Sequence, residues 1–429
     1  MQGISLRTAM MLVVASMVGT GIFTTTGFLA RDLNSGWLIM LTWILGGCLA
    51  LCGALAYAEL CARYPRNGGE YWLLGQVYHP ALGFIAGMVS IFVGFAATIA
   101  VSAAAFARYV TRIFPELSPS ATALGLVLVL TTIHTLRTHR AAAFQDLATI
   151  SRYALTALVA IVAVIVGWGS TASPWVSDVG ASGYSARSFA VGLVWVAYAY
   201  SGWNAAAYIV DDLQEPQKTV PRALLIGTAM VTGLYALVNV AYLVAVPRTQ
   251  MAGVIEVAHV VAEALGGRLA GQFISVVIAF GLISTAGAYI MVGVRIYQVI
   301  AADYPRLHWI APRVSDNRAS VRALWIQAAI ACALLLSATF EALLTYVGFM
   351  LTMFAALTVG GVFVARKRNP LIKPTYSTWG YPYTPIVFLV FSGWILVYAA
   401  LERPFVALAA LGILVAGGIV YRLVSPSTR

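Results

Sequence analysis

The sequence predicts an all-α polytopic membrane protein, and three observations carry that prediction. Of its 429 residues, 61% are hydrophobic and 10% charged, with a mean hydropathy of +0.87, values foreign to a soluble domain. Apolar runs of 18 residues or more recur along nearly the whole chain, each long enough for a spanning helix. Two of these runs are interrupted by glycine, at Met17-Val18-Gly19-Thr20-Gly21-Ile22-Phe23 and at Tyr198-Ala199-Tyr200-Ser201-Gly202-Trp203-Asn204. Glycine inside a helix costs about 1 kcal/mol relative to alanine, and in lipid a freed backbone group must find a partner within the protein. Paired interruptions of this kind mark a transporter fold with inverted repeats and a midplane site.

The runs give twelve spans: 7–30, 37–62, 82–110, 121–138, 147–169, 187–210, 221–246, 270–299, 321–340, 342–365, 383–401 and 404–423. Spans one and six carry the interruptions. Between spans two and three, Arg63 to Tyr71 has turn chemistry, and Trp72 to Gln76 reads as an interfacial helical turn before His79-Pro80. Segment 253–265 sets Val254, Val257, Val261 and Leu265 at helical spacing beside Glu256 and Glu263. It is too short and polar to span, and reads as an external amphipathic helix or a plain surface helix. The basic, aromatic loop 302–322 suits a headgroup surface.

An even number of spans puts both termini on one side. That side collects Arg7, Arg63, Arg66, Arg137, Arg140, Lys218, Arg222, Arg295, Arg306, Arg313, Arg318, Arg322, Arg366, Lys367, Arg368, Lys373, Arg422 and Arg429. The other has Arg31, Arg108, Arg112, Arg187, Arg248, Arg268 and Arg403, so the positive-inside rule makes the termini cytoplasmic. Three units follow: 1–170 and 186–366 as two repeats related by inversion, and 380–424 as an added pair.

The net charge of +11 lies in short clusters between apolar runs, which sets topology and excludes a nucleic-acid face. Cys48, Cys52, Cys61 and Cys332 offer neither disulfides nor zinc spacing, and no cofactor or metal is expected. An intramembrane enzyme would need clustered carboxylates or a catalytic histidine at depth, and none is found. Headgroup contact is the expected use of His79, His134, His139, His259 and His308, which fall near span ends. Asp211, Asp212 and Glu215, near Lys218 and Arg222, read as an internal-gate ion network or a solvated loop.

Gly19-Thr20-Gly21-Ile22-Phe23 and Tyr64-Pro65-Arg66-Asn67-Gly68-Gly69-Glu70-Tyr71 resemble the amino acid, polyamine and organocation superfamily. The string Tyr200-Ser201-Gly202-Trp203-Asn204, followed by Asp211-Asp212-Leu213-Gln214-Glu215-Pro216 and Val220-Pro221-Arg222-Ala223, is similar to its L-type amino acid transporter branch. The resemblance implies a LeuT-like five-plus-five inverted repeat with broken helices one and six. It also implies L-amino acid substrates exchanged without sodium.

On that resemblance the amides of Thr20, Gly21 and Ile22, with Gly19 at the break, would hold the substrate carboxylate at a half-helix N-terminus. Carbonyls near Met17 and Val18, with those of Tyr198, Ala199 and Ser201, would take the amino group. Gly19 and Gly21 could instead serve close helix packing, but one intervening residue does not fit the small-xxx-small spacing. Gly202 has the same two uses. Tyr198 stands where the family has a gating aromatic, usually phenylalanine. Trp203 reads as packing, and Asn204 as a ligand contact or a stabiliser of the break. Asn239 and Tyr242 are candidate pocket residues.

Arg152 follows Phe144-Gln145-Asp146-Leu147-Ala148-Thr149-Ile150-Ser151, where the family commonly has lysine. As a fixed cation it would exclude sodium and link span five to carbonyls of span one and to Ser284 or Thr285. Arginine stays charged where lysine can shift, which favours exchange over the alternative of a proton-coupled amino acid or amine symporter. The bland use is snorkelling to headgroups. The apolar, hydroxyl and amide residues near the pocket favour small or medium neutral amino acids. L-type carriers of eukaryotes pair with a glycoprotein heavy chain through a cysteine between spans three and four. Phe114-Pro115-Glu116-Leu117-Ser118-Pro119 has none, so a stand-alone subunit of a bacterial inner membrane is expected, its partners being the L-amino acid and the lipid bilayer.

Overall fold

The computed structural model describes residues 4–136, 141–168, 186–311, 320–372 and 374–425, excluding the side chains of 141–149 and 151. His139 and the bases Arg137, Arg140, Arg313, Arg318, Lys373 and Arg429 lie outside the described residues, as do the side chains of Phe144 to Thr149. The first span is two helices, α1 (Leu6–Met17) and α2 (Thr20–Asp32). Then come α3 (Gly36–Arg63), α4 (Gly69–Val77) and α5 (Pro80–Val89), the last continuing through a π-helical segment, Ser90–Ala97, into α6 (Thr98–Thr111). Next are α7 (Pro119–Leu136), α8 (Ala141–Gly167), α9 (Ala186–Tyr200), α10 (Pro216–Ala245), α11 (Arg248–Met251) and α12 (Val257–Asp303). The chain closes with α13 (Val321–Ser337), α14 (Phe340–Arg368), α15 (Tyr383–Glu402) and α16 (Pro404–Val424).

Among the described residues nine helices or broken helices are long and apolar enough to cross a bilayer, and Arg152–Gly167 and Val321–Ser337 are shorter apolar helices. The protein is an all-helical polytopic membrane protein. Helix starts follow local chemistry. His79 caps α5 through Nδ1, which accepts the Ala81 amide ahead of a tolerated Pro80, and Thr339 caps α14 by accepting the Ala342 amide.

Segment 253–265 is helical from Val257, and this short helix is set off from the span that completes α12 by a break at Gly267 (φ 72°), a conformation that glycine permits. The preceding turn lies on α2, where the Gly253 amide donates to the Gly27 carbonyl at 2.7 Å. His259 is buried, its Nδ1 2.8 Å from Ser275 Oγ and its Nε2 3.3 Å from Glu263. His134 faces Gly287 and bonds the Leu130 carbonyl through Nδ1 at 2.8 Å. Neither serves the headgroups, because each finds a partner within the helix bundle.

Polar contacts define two faces. On one, the Ile4 amide donates to the Asp212 carbonyl at 2.7 Å, Arg295 pairs with Asp212 at 3.1 Å, and Arg66 pairs with Asp303 at 3.1 Å. Arg306 donates to the Leu423 carbonyl there, so both ends of the described chain share this face. Asp211 exchanges bonds with Asn67 at 3.0 and 2.9 Å, whereas Glu215 forms an exposed pair with Lys218 at 2.7 Å. Burial and the Asp303 carboxylate hold the Tyr71 phenol well above its ordinary pKa, and its hydroxyl donates to Asp303 at 2.6 Å. At the opposite face Arg31 clasps Glu341 at 3.0 and 3.1 Å and Arg403 joins it at 2.7 Å.

The core lies where α1, α2 and α9 meet α3, α10, α12 and α14. Trp43 and Trp195 are fully buried there, while α16 buries only Ala410, Gly417 and Val424. Gly348 on α14 is pressed against α9, where an added Cβ would fall 2.3 Å from the Val194 carbonyl oxygen. Gly348→Ala is expected to destabilise the protein by about 1–3 kcal/mol through overpacking. Gly233→Ala, in open space on α10, should be neutral or mildly stabilising. Melting temperatures of the two purified variants check this.

Candidate functional site

The first break occupies Val18 and Gly19, both outside helical geometry. The first amides of α2 have no intrahelical partner, and no side chain caps that helix at Gly19. The second break follows α9. Residues 201–204 form a turn with Gly202 at φ 96°, and two short 3-10 turns, Ala205–Tyr208 and Val210–Asp212, complete the descent. A side chain at Gly202 would be strained there and would strike Ser16, whose carbonyl oxygen would lie 2.6 Å from the added Cβ.

The two interruptions meet. Tyr198 and Thr20, 178 residues apart, share a hydroxyl contact of 2.6 Å, and a Cβ on Gly21 would fall 2.4 Å from Ala199 Cα. Gly21 is therefore a close-packing glycine as well as an amide donor. The spacing argument misses this because it describes packing along two continuous helices, whereas a crossing of two breaks needs small residues at single points.

The carbonyls at the end of α1 have protein partners. The single Tyr235 hydroxyl proton is shared between the Met17 carbonyl at 2.6 Å and the Ala199 carbonyl at 3.0 Å, and Tyr289 donates to the Ser16 carbonyl at 2.9 Å. Arg152 donates to the Val18 carbonyl, to Ala15 at 3.3 Å, to Gly281 at 2.9 Å and to Thr285 Oγ1 at 2.6 Å. The Tyr198 carbonyl accepts the Ser201 amide at 2.9 Å. In this conformation four of the carbonyls expected for an amino group, those of Met17, Val18, Tyr198 and Ala199, thus face protein donors. The guanidinium lies against the break and does not reach outward to headgroups. A cation at the C-terminal end of α1 is favoured by the helix dipole, as an anion is at the start of α2.

Two cavities are lined from both broken spans. One of about 10 Å³ is lined by Ser16, Met17, Gly19, Thr20, Gly21, Thr98, Ser102, Tyr198, Ala199, Ser201, Thr285 and Tyr289. Another of about 120 Å³ lies toward the face that carries the chain ends and shares Ser16, Ser201, Thr285 and Tyr289 with the first. Val18 and Ile22 are buried without lining the small cavity, and half-buried Ser284 does not reach it. Asn239 is occupied elsewhere, accepting from Thr26 at 2.5 Å and donating to the Tyr235 carbonyl at 2.8 Å. Tyr242 lines a separate apolar cavity.

Asn204 donates to Glu70, which also accepts Tyr57 at 2.8 Å and Tyr208, a buried carboxylate held by neutral donors. Sequence reasoning read Glu70 as part of a loop, since nothing local shows that α4 folds inward. Trp203 packs on Tyr57, ring centroids 4.7 Å apart. The π-helical stretch, whose Gly94 and Phe95 line the larger cavity, was also illegible, because its widened turn leaves no sequence mark. Such segments recur at functional sites. Among the described residues no group of three or more His, Cys, Asp or Glu side chains suits a metal.

A polytopic membrane protein with two broken helices crossing at a small polar cavity is the class these observations define. Residues 4–415 match the family model described as amino acid permease, and the chain belongs to that family. It is 27% identical to the human large neutral amino acids transporter small subunit 2, covering 98% of this chain and 80% of the relative. Mouse Asc-type amino acid transporter 1 is 26% identical over 96% and 79% of the two chains, and the serine/threonine exchanger SteT of Bacillus subtilis 28% over 92% and 90%. Amino acid transport is the activity this membership carries, within a family of transporters and not of enzymes.

Gly21→Ala should abolish transport and lower the melting temperature, whereas Gly19→Ala, whose Cβ would meet Thr285 Cγ2 at 3.4 Å and the Met17 carbonyl oxygen at 3.9 Å, both ordinary contacts, should fold normally. Parallel uptake and thermal-denaturation assays check the pair. Arg152→Ala should slow turnover roughly tenfold or more, because buried carbonyls lose a charged donor worth about 1.5–3 kcal/mol. Arg152→Lys, a point charge with three donors in place of a fork, should fall between it and the wild type in exchange rate.

Proposed function

We propose that this chain is a sodium-independent exchanger of small or medium neutral L-amino acids that works by alternating access. The observation that carries the reading is the meeting of the two helix breaks. It sets the uncapped N-terminus of α2 beside the carbonyl end of α1, opposite poles suited to a zwitterion. The amides of Thr20, Gly21 and Ile22 hold the carboxylate, and the Met17, Val18, Tyr198, Ala199 and Ser201 carbonyls take the ammonium. Tyr198 is the lid, bonded to Thr20 in the present closed state. Sodium is excluded by Arg152, whose guanidinium claims acceptors a small cation would need. Relatives named as exchangers and neutral amino acid transporters support the substrate class.

The architecture that serves this is twelve crossings, with 1–170 and 186–366 as inverted repeats and 380–424 added, in a bacterial inner membrane with both termini cytoplasmic. The external loop 114–119 lacks a cysteine, so the chain acts without a glycoprotein heavy chain. In proteoliposomes preloaded with a labelled neutral amino acid, efflux should require an external amino acid and ignore sodium and proton gradients. Accumulation driven by either gradient without counter-substrate overturns the exchanger reading and favours symport.

A further inference from the structure

Ser102 on α6 lines the small cavity between the helix breaks, is fully buried, and has a hydroxyl with no hydrogen-bond partner. Its polar neighbours are engaged: Thr20 with Tyr198, Thr98 with the Val93 carbonyl, Thr285 with Arg152 and Tyr289 with Ser16. A helical serine or threonine commonly folds its hydroxyl onto the carbonyl one turn back, as Ser90 does with Ala86 and Thr131 with Val127. Ser102 does not. Buried hydroxyls left unpaired in a native protein call for a reason, and this one belongs to a residue that lines the cavity between the two breaks.

We propose that Ser102 is a specificity-determining residue, whose hydroxyl pairs with a polar group on a short substrate side chain. The inference rests on the proposed binding of the amino acid between the two breaks, and narrows its substrates to short hydroxyl-bearing amino acids over apolar isosteres. Two features support the assignment. The wall beside Ser102 combines the small Gly19, Gly21 and Ala199 with the bulky Tyr198 and Tyr289, and the space of about 10 Å³ between them matches a single water-sized group such as a hydroxyl, so a long side chain is disfavoured there. A site with a buried hydrogen-bonding group discriminates against the analogue that leaves it unpaired. Serine is therefore favoured over alanine, and threonine over valine.

The test is competition in proteoliposomes, measuring half-inhibition of labelled exchange by serine against alanine and by threonine against valine. Wild type and Ser102→Thr should favour the hydroxyl-bearing member of each pair by roughly 3- to 10-fold, the value of one neutral hydrogen bond. In Ser102→Ala both ratios should fall toward one. Ser102→Cys, close in size and a poor donor, should do the same, and the shift in melting temperature with each ligand reads the ratio by binding alone. Unchanged ratios in the alanine and cysteine variants, with exchange intact, overturn the role of Ser102 and leave the exchanger reading standing. A wild type that exchanges none of the four overturns both.

Discussion

A helix broken inside hydrocarbon leaves amides and carbonyls that lipid cannot pair, and the centre of this protein is arranged around that constraint. The chain meets it by bringing two breaks together and surrounding them with donors from other helices. Tyr235 on α10, Tyr289 on α12 and Arg152 on α8 all reach carbonyls of α1. The amides at the start of α2 have no comparable acceptor among the described side chains. The crossing is thus richly satisfied on its carbonyl side and open on its amide side. That imbalance favours an incoming carboxylate.

Arg152 gives this arrangement its electrostatic character. Its donors reach both α1 and α12, so a single fixed cation spans elements that an alternating-access mechanism would move against one another. The larger cavity lies on the chain-end side, while Tyr198 with Thr20, and Arg31 with Glu341, close the other side. Both faces carry ion pairs between elements remote in sequence. Exposed pairs of this kind are individually weak, which suits contacts that must break and re-form in each cycle.

Much of the fold was legible because hydrophobic length is a strong signal in membrane proteins, and the expected spans coincide with helices or broken helices. The two glycine strings located the breaks, since glycine in an apolar run has a cost that demands a reason. What remained hidden depends on distant contact. Glu70 looks like a loop acid until α4 turns it toward Asn204 and Tyr208. Asn239 looks like a pocket amide until Thr26 claims it. Gly21 reads as ligand access alone until Ala199 is found against it. In each case the residue type was informative and its partner was not, because the partner stands more than a hundred residues away.

The central claim is that the amino acid sits where the two breaks cross. Ser201 borders both cavities at that crossing, which makes it the place to look. Ser201→Cys, in a background with Cys48, Cys52, Cys61 and Cys332 replaced, would be alkylated by a small thiol reagent with and without saturating substrate. The account predicts that a transported amino acid slows alkylation in proportion to its occupancy. An alkylation rate indifferent to an amino acid that the same preparation exchanges would contradict it.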